Sequence, residues 1–280
     1  MADPNGGDLD GDPDADLDAR AEAMLAQAAK PVRRVRPRLA RQLADGDDLQ
    51  VDTPHGPVMA WRLGAGPASL LVHGWEDDNA LWSPLIDECA QIGRAVVALD
   101  LPGHGWSPSE AHSLEAAADA VIAVAKELGP IDTLVAHSFG CPTSILALSK
   151  GLQVERAVMI ASPVPRAGDR NRFGDRWLQR QLSRGYEPEV VERAAEIMRA
   201  RMPSQMASHD AAEALIPSMT ARLMAVHSMD DDQCPFAASQ IMAELWPGSK
   251  LVLVDGLGHR LVAQDPVVLE QVMGFLEDFG

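Results

Sequence analysis

The sequence has few cysteines, few aromatic residues and no long uninterrupted apolar segment. Its 280 residues include only three cysteines, an odd number that gives no disulfide framework and suits a reducing compartment. No stretch of about 18 or more uncharged apolar residues occurs, so a membrane-spanning helix is not expected. The N-terminus also lacks the basic and apolar regions of a secretory signal. We therefore expect a cytoplasmic protein without a membrane partner.

Positive charge is scarce as well. The chain carries 24 Lys and Arg against 41 Asp and Glu, a net charge of −17, which argues against nucleic acid as a partner. Many aspartates lie in residues 1–20, but no Asp-led frame there has the central Gly and closing Glu of a calcium loop. We interpret residues 1–20 as a disordered acidic tail without a metal site. Residues 21–48 read as an N-terminal helical and basic segment.

The remainder of the chain has the composition and pattern of a folded α/β domain. With 46% hydrophobic residues the chain can bury a sizeable core. Two alternating segments flank Pro54–Pro57 and predict a hairpin, followed by continuous apolar runs that are typical of strands buried on both faces of a parallel sheet. These runs are 69–73, 95–99, 133–136, 157–160, 223–226 and 251–254. Helical segments lie between most of them, so we predict a parallel sheet covered by helices.

One connection departs from this alternation of strands and helices, because about sixty residues without a strand pattern separate Ile160 from Leu223. We predict two to four helices that form a cap, or lid, over the carboxyl edge of the sheet at residues 163–220. The core then comprises residues 49–162 and 221–280. The alternative is a dimerisation arm, which leaves a homodimer open. Trp177 and several methionines of this insertion either line an acyl pocket or form the underside of helices that pack on the sheet.

Residues 133–136 read as a short buried strand that ends in a sharp turn at 137–140, and a helical segment follows from residue 143. Ser138 is at the apex of that turn, which is the context of a nucleophile elbow. The match to G-x-S-x-G is imperfect, because Ala136 occupies the place of the first Gly. We expect Ala136 to be small enough for the neighbouring helix to approach.

A nucleophilic serine needs a base and an acid that holds the base. His259 follows a strand and a Gly-rich loop, which places it at the same sheet edge as Ser138, so we predict it as the base. Three aspartates follow the strand that ends near Val226. Asp231, four residues before Pro235, is our candidate for the acid, with Asp230 and Asp232 as alternatives.

An oxyanion also needs preorganised N–H donors. One candidate is the backbone N–H of Phe139, which follows the nucleophile at a helix N-terminus. The other is the backbone N–H of Trp75, in the loop after the first parallel strand. We further expect the side chains of Trp75 and Trp177 to contact substrate.

Taken together, the motifs resemble those of the α/β-hydrolase-fold serine hydrolases. They are L-L-V-H-G-W (70–75), D-L-P-G-H-G-W-S (100–107), A-H-S-F-G (136–140), H-S-M-D-D-D-Q-C-P (227–235) and D-G-L-G-H (255–259). The resemblance implies a mostly parallel eight-stranded sheet with a helical cap after the sixth strand. It also implies Asp231 as the acid, His259 as the base, and Trp75 with Phe139 as the oxyanion hole, without a cofactor. The chain departs from the family pattern at Ala136 and at Ser228, where the family has Gly.

The expected function is therefore hydrolysis of a carboxylic ester of small to medium size, through an acyl-enzyme on Ser138. Two other enzymatic readings share the same three residues, namely C–C bond hydrolysis and acyl transfer to an acceptor other than water, including perhydrolase chemistry. A third reading is a non-catalytic ligand receptor on the hydrolase fold.

Overall fold

A computed structural model of the protein describes residues 13–28, 30–33, 46–164, 178–197, 200 and 214–278. The chain divides into two compact units. The larger unit contains residues 31–168 and 207–280, and the smaller unit contains residues 1–30 and 169–206. Each unit has its own buried cluster of apolar side chains.

The larger unit is built on one eight-stranded sheet with the strand order β1-β2-β4-β3-β5-β6-β7-β8. The strands are β1 (Asp47–Val51), β2 (Val58–Leu63), β3 (Ala68–Val72), β4 (Ala95–Leu99), β5 (Ile131–His137), β6 (Arg156–Ile160), β7 (Arg222–Ser228) and β8 (Lys250–Val254). Strand β1 pairs antiparallel with β2, and β2 with β4, whereas every other pair is parallel. The predicted hairpin and the mostly parallel sheet are both confirmed.

Helices cover both faces of this sheet. They are α2 (Ser83–Gln91), α3 (Leu114–Leu128), α4 (Gly140–Ser149), α5 (Ala237–Leu245), α6 (Gly258–Leu261) and α7 (Pro266–Glu277), with 3-10 turns at Asn79–Trp82 and Ile216–Ser218. Side chains of α3, α4 and α5 belong to the apolar cluster on one face, and those of α2 and α7 to the cluster on the other. Within the part of the chain that the structure describes, no helix is both long and apolar enough to cross a membrane.

The continuous apolar runs of the sequence are explained by this double coverage. Successive side chains of a strand point to opposite faces, so Val97 joins the cluster beneath α3 and α4 while Val96 joins the one beneath α2 and α7. The same division separates Leu134 from Val135 in β5. Burial on both faces therefore requires apolar residues at every position, and this is why the strands lack alternation.

The smaller unit corrects the predicted boundary of the acidic tail. Helix α1 (Pro13–Ala28) includes residues 13–20, which we expected to be disordered. Within this unit Met24 is buried with Val190 and Val191 of the helical residues 188–197, and Asp18 forms an ion pair with Arg193. Apolar burial and this ion pair stabilise a helix that its Asp-rich composition alone disfavours. Residues 1–12 lie outside the described residues.

The start of α4 lies unusually close to the backbone of β3. A Cβ added at Gly140 would lie 2.4 Å from the carbonyl oxygen of Val72 and 2.8 Å from that of His73. Ala136, in contrast, is fully buried in the sheet and its methyl group is accommodated in the core. The close approach at this turn is therefore permitted by Gly140, whereas Ala136 fits where the motif has Gly.

We predict that Gly140→Ala lowers the free energy of unfolding by about 1–3 kcal/mol, because the new methyl group must displace main-chain carbonyls that cannot rotate away. Urea denaturation measures the effect. Gly274→Ala in α7 is the matched control, since no heavy atom lies within 4 Å of the added Cβ. That variant should gain about 0.5–1 kcal/mol from helix propensity. Equal stability of Gly140→Ala and the parent would contradict the packing described for this turn.

Candidate active site

Ser138 lies at the turn between β5 and α4 with a backbone φ of +50°. Positive φ is uncommon for a residue with a side chain and indicates that the surroundings hold the turn in place. The backbone N–H of Ser138 donates to the carbonyl of Ile160 in β6 at 2.9 Å. The turn is thereby fastened to the neighbouring strand, and the hydroxyl is carried past the end of the sheet.

The loop after β3 lies against this turn. A Cβ at Gly74 would lie 3.0 Å from the Cβ of Ser138, which leaves room only for glycine without a shift of the neighbouring atoms. Trp75 follows directly, and its ring contacts that of Phe139 edge to face, with centroids 5.4 Å apart. Among the described residues, the backbone N–H groups of Trp75 and Phe139 donate to no acceptor. Phe139 is also the N-cap residue of α4, where the helix dipole favours negative charge.

His259 connects Ser138 to Asp231. Its Nε2 lies 2.9 Å from the Oγ of Ser138, and its Nδ1 lies 2.7 Å from the Oδ2 of Asp231. The carboxylate accepts from Nδ1–H, so Nε2 carries the lone pair that accepts the hydrogen of the Ser138 hydroxyl. The structure thus joins the three residues that the sequence singled out into one chain of hydrogen bonds.

The side chain of Asp231 is fully buried and receives hydrogen bonds on both oxygens. Its Oδ1 accepts from the backbone N–H groups of Gln233 and Cys234 at 2.7 and 2.9 Å. Burial raises the pKa of this carboxyl, but the hydrogen bonds from His227 and His259 outweigh that effect and hold the pKa below its ordinary value. Asp231 is therefore a carboxylate at neutral pH despite its burial.

The other two aspartates of the triplet have different surroundings. Asp230 is exposed, and its Oδ1 accepts from Gly256 N–H at 3.0 Å and from Gly258 N–H at 3.1 Å. Ser228 donates its hydroxyl to Asp230 and accepts from the backbone N–H of Leu257 at 3.2 Å. Asp232 is exposed. Asp230 and Ser228 thus bind three consecutive N–H groups of the loop that leads to His259, and Ser228 has a defined role at a position where the family motif has Gly.

The main chain of His259 is held from a second side by His137. The Nε2 of His137 donates to the carbonyl oxygen of His259 at 2.8 Å, and the two rings are 4.9 Å apart. His137 is 3% exposed. Burial, followed by the neighbouring His259, lowers the pKa of His137 to about 4, so this ring is neutral near pH 7.

An ion pair joins the loop of His259 to the loop after β3. Arg260 lies 2.9 Å from the Oδ1 of Asp77, whose side chain is 6% exposed. Asp77 also receives the backbone N–H of Asp78 and donates its own N–H to the carbonyl of Gly74. The segment that carries His259 is consequently linked to the segment that carries Trp75.

Two further buried histidines shape the loops at this edge. His73 accepts the N–H of Leu101, and His104 accepts the N–H of Glu76, so each ring fixes a loop main chain. Burial lowers the pKa of His73 to about 3 and that of His104 to about 4. Both are neutral near pH 7 and act as fixed hydrogen-bonding groups.

The structure does not describe every residue that the sequence singled out. Trp177 lies outside the described residues, so its contact with substrate stays a prediction, as does that of Trp75. Sequence reasoning assigned no role to His137, treated Ser228 only as a departure from the family pattern and Asp230 only as an alternative acid, although each belongs to one of the motifs. Across the described ranges no group of three or more His, Cys, Asp or Glu residues could hold a metal ion.

Comparisons with known proteins identify the family and the fold. The sequence model of the Alpha/beta hydrolase family matches residues 70–272. A pimeloyl-acyl-carrier-protein methyl ester esterase of Xanthomonas campestris is 32% identical over 100 residues, which are 36% of this chain and 38% of that protein. An uncharacterized protein of Mycobacterium tuberculosis is 38% identical over 99 residues, which are 33% of this chain and 28% of that protein. The chain thus spans well under half the length of these curated relatives.

Solved structures share the fold over most of the chain. An esterase of Pyrococcus furiosus superposes with a TM-score of 0.68 at 16% sequence identity. The superposition covers 89% of this chain and 96% of that one. At this level of identity the similarity establishes the architecture alone.

We predict that Asp230→Ala accelerates amide hydrogen exchange at residues 256–258, because the variant loses the acceptor of two of their N–H groups. Exchange measured by mass spectrometry on peptides that cover this loop should be faster than in the parent, because amides without an acceptor exchange more readily. Asp232→Ala is the matched control and should exchange like the parent. Unchanged exchange in Asp230→Ala would contradict the proposed hold on the loop.

Stability should fall as the pH is lowered, because His73, His104 and His137 are held neutral in the fold. For each, the folded pKa lies below the value of 6.5 in the unfolded chain, so the unfolded state binds the proton first. Their contribution is complete above about pH 6.5 and is lost as the pH falls toward about 4. Buried Asp100, whose pKa burial raises to about 7, opposes this trend.

With three histidines against one aspartate, the free energy of unfolding should drop by on the order of 2 kcal/mol per pH unit below about pH 6.5. Urea denaturation at a series of pH values between about 7.5 and about 5.5 measures the slope. Stability that is constant or rises over that range would show that these rings are not held neutral.

Proposed function

Because the chain belongs to the alpha/beta hydrolase family, we propose that it is a serine esterase that cleaves a carboxylic ester of small to medium size. The observation that carries the proposal is the chain of hydrogen bonds from Ser138 through His259 to Asp231. Two further features support it. One is the positive φ at Ser138, and the other is that the N–H groups of Trp75 and Phe139 donate to no acceptor among the described residues. The name of the Xanthomonas campestris relative describes ester cleavage as well.

In the proposed acylation step, Nε2 of His259 removes the hydroxyl proton of Ser138 as Oγ attacks the ester carbonyl. The carbonyl oxygen becomes an oxyanion, which accepts hydrogen bonds from the N–H groups of Trp75 and Phe139. The C–O bond to the alcohol then breaks, and protonated His259 gives its proton to the leaving alkoxide. The acyl group remains on Oγ of Ser138.

Deacylation follows the same path with water in place of the serine. His259 takes a proton from the water as the water oxygen attacks the acyl carbonyl, and returns a proton to Oγ of Ser138 when that bond breaks. In both steps the negative charge of Asp231 stabilises the transient imidazolium. Because Asp231 is buried and already ionised, this stabilisation requires little reorganisation.

We predict that Ser138→Ala lowers kcat/KM for p-nitrophenyl butyrate by at least about 10³-fold, since the variant has no nucleophile and retains only binding and oxyanion stabilisation. Ser144→Ala is the matched control. Ser144 is a buried serine of α4 whose hydroxyl has no hydrogen-bond partner among the described residues. The control should retain parent activity. Equal rates for Ser138→Ala and the parent would refute the esterase proposal and favour a ligand-binding role.

A further inference from the structure

A second histidine contacts the buried carboxylate. His227 lies at the end of β7, four residues before Asp231, and both side chains are fully buried. Its Nε2 is 3.2 Å from the Oδ2 of Asp231 and 3.2 Å from the carbonyl oxygen of Cys234.

The partners of His227 define which ring nitrogen carries the hydrogen. A carbonyl oxygen only accepts, so Nε2 carries the hydrogen and donates it to Cys234, while the Oδ2 of Asp231, which also only accepts, faces the same N–H at 3.2 Å. On the other side of the ring, Nδ1 is 2.7 Å from the hydroxyl oxygen of Ser239, a buried residue of α5. In the neutral ring Nδ1 carries the lone pair, so the Ser239 hydroxyl donates to it. Because a serine hydroxyl can donate or accept, the contacts of Nε2 define the tautomer and the Ser239 contact is compatible with it.

Polar contacts therefore continue beyond Asp231, on the side away from Ser138. The Oδ2 atom of Asp231 accepts from His259 and faces the Nε2–H of His227 at 3.2 Å, while Oδ1 accepts from two backbone N–H groups. Without His227, Oδ2 would have a single side-chain donor and the carboxylate would be freer to rotate away from His259. It would also be a more basic partner, because one stabilising hydrogen bond would be missing.

We propose that His227, oriented by Ser239, is a positioning residue that fixes the Asp231 carboxylate and moderates its basicity. The inference rests on the proposed function, since it assigns a role in the same reaction. Asp231 is the charged group that faces the ring. Helix α5 contributes the hydroxyl of Ser239, and β8 contributes Leu253 opposite His227 in the register.

Two variants test this role. His227→Phe removes the donor but keeps a planar ring, and should lower kcat by about 10- to 100-fold with KM within about twofold of the parent. It should also move the acid limb of the pH–rate profile to higher pH, because a more basic Asp231 favours the protonated ring of His259. His227→Gln keeps an amide N–H donor and should recover most of kcat. His55→Gln, at a partly exposed surface histidine, is the control and should match the parent.

A folded His227→Phe variant with parent kcat and an unshifted acid limb would overturn the proposal. A loss that His227→Gln does not recover, with no shift of the limb, would indicate a purely structural role and also overturn it. If His227→Phe does not fold, the proposal is tested by the pH–rate profile of His227→Gln together with the NMR measurement described next.

The tautomer of the His227 ring can be measured without an activity assay. Nitrogen-15 NMR of the histidine-labelled protein near neutral pH should show His227 protonated at Nε2 and unprotonated at Nδ1, with its signals assigned by their absence in His227→Gln. The opposite tautomer would overturn the inference. If the parent showed the expected tautomer but hydrolysed no ester, the esterase proposal would fail while the hydrogen bonds to Asp231 stood, so the two failures are distinguishable.

Discussion

A buried carboxylate is the group on which the rest of the candidate site depends. Asp231 has no exposed side-chain surface, and an unpaired charge in such a place would be strongly destabilising. The N–H groups of Gln233, Cys234 and His259 donate to its two oxygens, and Nε2 of His227 lies 3.2 Å from one of them. The orientation of His259 toward Ser138 is a consequence of satisfying that charge. The interactions that stabilise the buried charge of Asp231 are therefore also the ones that orient His259 toward Ser138.

The backbone imposes the second constraint, which is close approach at the carboxyl edge of the sheet. Gly140 lets α4 begin against the carbonyls of β3, and Gly74 lets the following loop touch Ser138. The loop that bears His259 has no such contact of its own, and side chains hold it instead. Asp230 and Ser228 bind its N–H groups, and His137 binds its carbonyl. A rigid turn and a loop held by several polar groups together fix a distance of 2.9 Å between Oγ and Nε2.

The parallel sheet could be predicted from the sequence because each parallel strand is buried on both faces and so appears as an uninterrupted apolar run. It located the start of α4 less well, at residue 143 instead of Gly140, since main-chain contacts with β3 determine where that helix begins. Local pattern also failed for α1, whose Asp-rich first turns are stabilised by packing against residues distant in the sequence. Three adjacent aspartates offer similar local signals, and only the return of the chain at residues 256–259 separates the one that faces His259 from the one that binds the loop. The four-residue spacing of His227 and Asp231 is evident in the sequence. That both side chains are buried where β7 ends could not be predicted from it.

The most direct test of the account is labelling by a fluorophosphonate probe followed by peptide mapping with mass spectrometry. The probe transfers its phosphonyl group only to a serine whose hydroxyl is activated by a base and whose developing oxyanion is stabilised. We expect one phosphonyl group for each chain, attached to Ser138 and absent from Ser138→Ala. A folded protein that hydrolyses esters but carries the label on another residue, or carries none, would contradict the assignment of Ser138, His259 and Asp231 as one catalytic unit.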